Sequence, residues 1–137
     1  MSQYSVEHRP VHEADVYKAA DILWSENQLI RDQGIPWTNY RDLLIQETEG
    51  EEALVCYCGQ SLVGALVIGP LGPDSHFPGE GRIVYYSVTS QSHPKATRLL
   101  YRYLVNLIRE KGGSWYQTTR RVSETEFHSK YRSIHNG

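Results

Sequence analysis

The chain has 137 residues, 39% of them hydrophobic and 22% charged, with a formal net charge of −2, which is the size and composition of one globular domain built around a single core. There is no internal repeat or low-complexity segment, no stretch approaches the length of a membrane span, and the N-terminal MSQYSVEHRP lacks the basic and apolar regions of a secretory signal. A soluble, cytoplasmic protein folding as one domain over residues 1–137 is the expectation.

The small net charge hides a division. Residues 1–81 hold 4 Lys/Arg against 13 Asp/Glu, net −9, while residues 82–137 hold 10 against 3, net +7. A basic half suits a polyanion, either nucleic acid or a phosphate-rich cofactor, and attraction between the halves inside one fold accounts for the same numbers.

Residues 4–8 read as a first strand closed by Pro10, and residues 12–15 supply an acidic first turn for a helix whose inner face is Val16, Ala19, Ala20 and Leu23. After Gly34 and Pro36, Thr38 or Asn39 caps a second helix to about residue 47, with Tyr40, Leu43 and Leu44 inside. The acidic run 47–52 reads as a solvated connection. Residues 53–58 and 61–68 are apolar runs joined by Gly59-Gln60, a hairpin signal. Cys56 and Cys58, one residue apart, are expected on opposite faces as free thiols, and no further ligands at metal spacing follow them.

Residues 69–81 carry Gly and Pro repeatedly and read as a long loop without regular structure, with His76 and Phe77 able to cover a ligand. Residues 82–88 form the next strand. From Lys95 the helical period is clear, with Ala96, Leu99, Leu100, Tyr103, Leu104, Leu107 and Ile108 on one face and Gly112-Gly113 ending it. Residues 114–119 read as a further strand, and residues 123–132 as a short final helix capped by Ser123. The elements are those of an α/β (α+β) domain.

The chemistry-bearing feature is the strand–loop–helix junction Ser87-Val88-Thr89-Ser90-Gln91-Ser92-His93-Pro94-Lys95-Ala96-Thr97-Arg98. Such a junction aims unpaired backbone N–H groups and the positive end of a helix dipole at an anion. Gln91, Ala96 and the Leu99-Leu100 pair fall in register with the Arg/Gln-x-x-Gly-x-Gly/Ala loop of the GNAT superfamily of N-acetyltransferases, and by this loop and its order of elements the chain resembles that family. Pro94 stands at the central Gly position, removing one N–H while remaining compatible with a first helical turn.

The resemblance implies a mixed, mostly antiparallel central sheet flanked by helices. The family's last two strands are missing from it, or are supplied by a partner chain or a second copy. It implies acetyl-CoA as co-substrate, held by Val88, Gln91, Ser92, His93, Lys95, Ala96, Thr97 and Arg98, and no metal. Direct acyl transfer to an amine requires a base, a strand N–H to polarise the thioester, here Val88, and an acid for the leaving thiolate. Matching Phe127-His128-Ser129-Lys130-Tyr131-Arg132-Ser133 to the family's final helix makes His128 or Tyr131 that acid, and Glu80 is the nearest carboxylate for the base. Glu47, Glu49, Glu51 and Glu52 would suit a cationic amine acceptor, whether a small molecule or a protein.

Two other classes stay open. One is a non-catalytic binding or structural module, such as a phage or mobile-element accessory protein. The other is a nucleic-acid-binding protein using Arg98, Arg102, Arg109, Arg120, Arg121, Lys130 and Arg132.

Overall fold

A computed structural model describes residues 3–123 and 125–135. Their elements run β1 (Tyr4–Pro10), α1 (Glu13–Glu26), α2 (Gln28–Arg31), α3 (Trp37–Thr48), β2 (Glu52–Cys58), β3 (Ser61–Ile68), β4 (Gly72–Asp74), β5 (Phe77–Thr89), α4 (Lys95–Glu110), β6 (Trp115–Arg121) and β7 (Phe127–Ser133). They build one mixed sheet ordered β1-β2-β3-β5-β6-β7, with β4 paired to β5. Every neighbouring pair is antiparallel except β5 with β6.

The clear period of α4 has the expected result. Ala96, Leu100, Leu104 and Ile108 are fully buried against Leu54, Cys56, Leu66, Ile68 and Val84 on one sheet face, each large aliphatic side chain contributing about 1.5–3 kcal/mol by leaving water. Gly64 on β3 permits the close approach: a Cβ there would lie 3.1 Å from Leu100 Cδ1 and 3.3 Å from Ala96 Cβ. On the other face α1 packs Ala19, Ile22 and Leu23 over Ala53, Val55, Leu62, Ala65 and Val88. Helix α3 then joins α1 through Tyr40 and Leu44 against Val16 and Ala20.

Three expectations are corrected. Residues 72–74 and 77–81, read as loop, form the β4–β5 hairpin, its turn held by the Asp74 carboxylate accepting from the His76 N–H at 2.7 Å. The final helix is instead strand β7, paired along its length with β6. Ser123 caps a turn, its Oγ accepting from the N–H groups of Thr125 and Glu126 at 3.4 and 3.2 Å, and Glu124 within that span lies outside the described residues. One strand thus follows β6 where none was expected. Third, strand alternation returns to the same face every second residue, so Cys56 and Cys58 both turn to the α4-side core, as free thiols.

Two features of β5 position the site. Its register with β3 runs Val67↔Tyr86 and then Ile68↔Val84, leaving Tyr85 as an extra, bulged residue. The bulge reverses the alternation, so Val84 faces the α4 core while Tyr86 and Val88 face the α1 and α3 side. The second feature is the short pairing of β5 with β6, confined to Gly81↔Trp115, Arg82↔Tyr116 and Ile83↔Gln117. Beyond that point the two strands separate.

Candidate functional site

The separation of β5 from β6 opens a fork in the sheet. On the α4 side its mouth is a cleft of ≈ 350 Å³ lined by Ser87 of β5, Tyr101 of α4, Tyr116, Thr118, Thr119 and Arg120 of β6 and Arg132 of β7. Burial raises the Tyr101 hydroxyl above its ordinary value, while the neighbouring Ser87 hydroxyl opposes that rise. The phenol stays protonated at neutral pH. On the α3 side a larger pocket of ≈ 790 Å³ brings together Tyr40, Glu47, Glu51, Tyr85, Tyr86 and Phe127, with the two carboxylates facing one cation, Arg121. There the Tyr86 hydroxyl donates to the Glu47 carboxylate, and burial followed by that carboxylate pushes the Tyr86 phenol well up. Burial also pushes Tyr40 up to about 12.

Backbone direction at the fork follows from the loop beyond it. The Ser90 N–H donates to Val63 O of β3 at 2.9 Å, so by alternation the Val88 N–H, two residues earlier, points into the sheet as well. The N–H groups facing the open side of β5 are those of Ser87 and Thr89. Val88 itself is a buried apolar contact beneath α1.

The loop residues proposed from sequence do converge at the start of α4, but several are already engaged. The Gln91 N–H donates to Glu26 Oε1 at 2.6 Å and the Ser90 hydroxyl to Glu26 Oε2 at 3.1 Å. A carboxylate from the end of α1 therefore occupies part of the N–H cradle. His93 Nδ1 meets the Tyr4 hydroxyl at 2.9 Å, and Lys95 Nζ lies 5.9 Å from the Tyr4 ring centre, so both turn toward β1. Ala96 is buried against Gly64, and the Thr97 hydroxyl donates to that of Thr89 at 2.7 Å. Ser92 and Arg98 are exposed, Arg98 on the open groove beside α4.

The three proposed catalytic side chains are not brought together. Glu80 is exposed on the β4–β5 hairpin, roughly 25 Å along the strand from Val88. His128 is exposed toward the far end of β7, its Nε2 3.9 Å from Glu126 Oε2. Tyr131 donates to Asp74 Oδ2 at 2.7 Å, stacks on Phe77 at 5.6 Å and 4°, and meets Trp115 edge-on at 5.2 Å. That is a packing role, fastening β7 to the hairpin. Both stand on a strand because the helix that would have carried them is absent.

What sequence reading missed is Ser87, Tyr101 and Tyr116 on one side of the fork and Tyr85 and Tyr86 on the other. Tyr101 carried a signal, since it follows Leu100 on α4 and falls off the fully buried stripe. Among the described residues no group of three or more His, Cys, Asp or Glu is placed to hold a metal ion, and no helix is long and apolar enough to cross a membrane.

No protein-family model matches the sequence, and no curated protein matches it significantly. Solved structures do match. A ribosomal-protein-alanine N-acetyltransferase from Brucella melitensis biovar Abortus superposes with a TM-score of 0.62 at 20% identity, over 87% of this chain and 81% of that one. A protein assigned to the GNAT family of acetyltransferases, from Desulfovibrio desulfuricans, gives 0.61 at 12% identity, over 85% and 73%. An aminoglycoside acetyltransferase from an uncultured soil metagenomic sample, solved with sisomicin, gives 0.57 at 11% identity, over 87% and 78%. With its mostly antiparallel sheet, its flanking helices and the fork between β5 and β6, the chain has the fold of the GNAT acetyltransferases.

Proposed function

We propose that the chain transfers an acetyl group from acetyl-CoA to a primary amine at the β5–β6 fork. The observation that carries this reading is that the fork is open on both faces, with a hydroxyl-lined cleft on the α4 side and an acidic, aromatic pocket on the α3 side. A thioester entering from one face and an ammonium from the other would meet beside Ser87. The fit is good at the fork, where an extended thioester arm has hydroxyls on both walls. At the loop, Glu26 must swing away before a pyrophosphate can take the Gln91 N–H.

Each step then has a residue. Glu47, held by the Tyr86 hydroxyl, attracts the cationic amine and takes its proton. The Ser87 N–H polarises the thioester carbonyl as the C–N bond forms. As the C–S bond breaks, the Tyr101 hydroxyl gives its proton to the sulfur and is reprotonated from solvent. The second proton of the attacking nitrogen leaves to solvent, so that a neutral amide and a thiol are formed and one proton is released overall. The solved relatives include one named for a ribosomal-protein alanine and one bound to an aminoglycoside, so protein and small-molecule amines both belong in the acceptor panel.

The test is calorimetric titration with acetyl-CoA, followed by detection of released thiol with polyamine, aminoglycoside and peptide acceptors. Absence of both binding and a rise in melting temperature at millimolar acetyl-CoA would end this reading. The second reading, a binding module without turnover, draws on Glu26 in the loop and on Pro94 at the family's Gly position. It predicts that wild type ignores acetyl-CoA and that Glu26→Gln or Pro94→Gly gains binding without thiol release.

A further inference from the structure

Beside α4 runs a groove of ≈ 580 Å³ whose lining includes Arg98, Arg102 and Arg109 of the helix, Arg132 of β7, and Tyr101 and Tyr116 at its base, with no carboxylate among its lining residues. The helical arginines follow an i, i+4, i+11 spacing, which places them within about 40° of one another on the wheel and along about 17 Å of axis. None of the four arginines has a carboxylate partner among the described residues; Arg109 instead donates to Asn106 Oδ1 at 3.1 Å. The Tyr101 and Tyr116 rings lie 5.7 Å apart at an interplanar angle of 37°.

The ion pairs of this protein are distributed unevenly. The guanidiniums of Arg9, Arg41 and Arg82 are each matched to a carboxylate, so Asp and Glu are within reach where a fold-internal arginine needs one. In the groove three arginines of α4 and one of β7 face solvent around two aromatic rings instead. Positive side chains that track a line, with rings beneath on which flat groups can stack, are what a flexible polyanion with aromatic substituents requires.

We infer that this groove binds single-stranded nucleic acid, its phosphates along Arg98, Arg102, Arg109 and Arg132 and its bases against Tyr101 and Tyr116. A lone nucleotide would engage one end of the line, whereas a strand engages all of it, so affinity grows with length. The groove shares Tyr101, Tyr116 and Arg132 with the cleft at the fork and runs on from it along α4 to Arg109. A strand and a thioester arm would therefore compete for its upper end, and strand binding is read by its own measurement without acetyl transfer.

The test is fluorescence anisotropy with labelled oligo-uridylate and oligo-thymidylate of three and nine nucleotides, from 50 to 300 mM salt, on the full chain. The nine-mer should bind at least about tenfold more tightly than the three-mer, with a log–log salt slope of about −3, reflecting four phosphates at about −0.7 each. Arg102→Glu combined with Arg132→Glu, both exposed positions, should lower nine-mer affinity at least about tenfold and flatten the slope. Arg41→Glu, on α3 outside the groove, should leave binding unchanged, and circular dichroism checks that each variant is folded. No binding at 50 mM salt overturns the proposal. So does equal loss in the α3 variant, or adenosine 3′,5′-bisphosphate binding as tightly as the nine-mer, which would make the groove a nucleotide site.

Discussion

The carboxylate of Glu26 accepts the backbone N–H of Gln91 at 2.6 Å, so the last residue of one helix serves as the anion for the loop that opens another. A carboxylate is disfavoured at the C-terminus of its own helix, where the dipole is negative, and favoured before the N-terminus of α4, where it is positive. The Ser90 hydroxyl adds a second donor at 3.1 Å. Glu26→Gln keeps an acceptor for the N–H and removes the charge that a phosphate would have to displace. Its affinity for acetyl-CoA should rise about tenfold, equivalent to about 1.4 kcal/mol, with stability changed by about 1 kcal/mol or less; calorimetry and urea unfolding read the two separately.

If Tyr101 supplies the proton to the leaving thiolate, Tyr101→Phe should lower kcat about 100-fold or more while leaving KM for acetyl-CoA within about twofold. Because burial raises the Tyr101 hydroxyl, wild-type activity should show no loss of a protonated acid below the ordinary phenol value of 10. His128→Ala and Tyr131→Phe should turn over like wild type, since neither residue lines the cleft or the pocket of the fork. Steady-state thiol release across pH checks all three.

Glu52 accepts from His8 Nε2 at 2.6 Å and from Arg82 at 3.0 Å. Desolvation pushes this carboxyl up, but those two partners outweigh it and hold it below its ordinary value of 4.5. A depressed folded-state value adds stability that is present above pH 4.5 and drains away as the pH falls through the lower, folded value. Urea midpoints should therefore fall steeply below about pH 4.5 in wild type and less steeply in Glu52→Gln. That variant should also be less stable at pH 7, because Arg82, 6% exposed, is left buried without its counter-charge.

At the start of the β5–β6 ladder, two residues before the fork, a Cβ on Gly81 would fall inside the Trp115 ring and against its carbonyl oxygen. The oxygen belongs to the neighbouring strand and cannot turn aside as a side chain can. Gly81→Ala should cost about 3 kcal/mol or more in urea unfolding, and ligand binding at the fork should fail with it. Gly59→Ala, where nothing lies within 4 Å but φ is +63°, should cost only about 1 kcal/mol.

Helices α1, α3 and α4 and the first three strands were legible because each carries its own period, whereas the four-residue α2 is too short to carry one and was not read. Ala96, Leu100, Leu104 and Ile108 announce one face of α4 whatever surrounds them. Strand β7 was not legible, since the burial of Phe127–Ser133 is mostly exposed and its strand character comes from pairing with β6. The Gly- and Pro-rich β4 hid a hairpin for a similar reason: its pairing depends on Phe77, Trp115 and Tyr131 meeting from three separate segments. At the site, the loop was found because a junction motif is local in sequence. Ser87 with Tyr101, and Tyr86 with Glu47, are partners only after the sheet divides.

The brevity of the β5–β6 ladder reaches beyond the space it opens. Three registered positions, the Trp115 indole on Gly79 and Tyr131 on Asp74 and Phe77 join β6 and β7 to the rest of the sheet, while α4 lays most of its buried stripe on β2, β3 and β5. The last two strands thus form a leaf anchored at one end only, through Trp115 and Ile134, and should open as a unit while β1, β2, β3 and α4 stay closed. Amide protons of β6 and β7 would then exchange together, ahead of the core, at a rate that a molecule bridging Ser87 and Thr118 would slow.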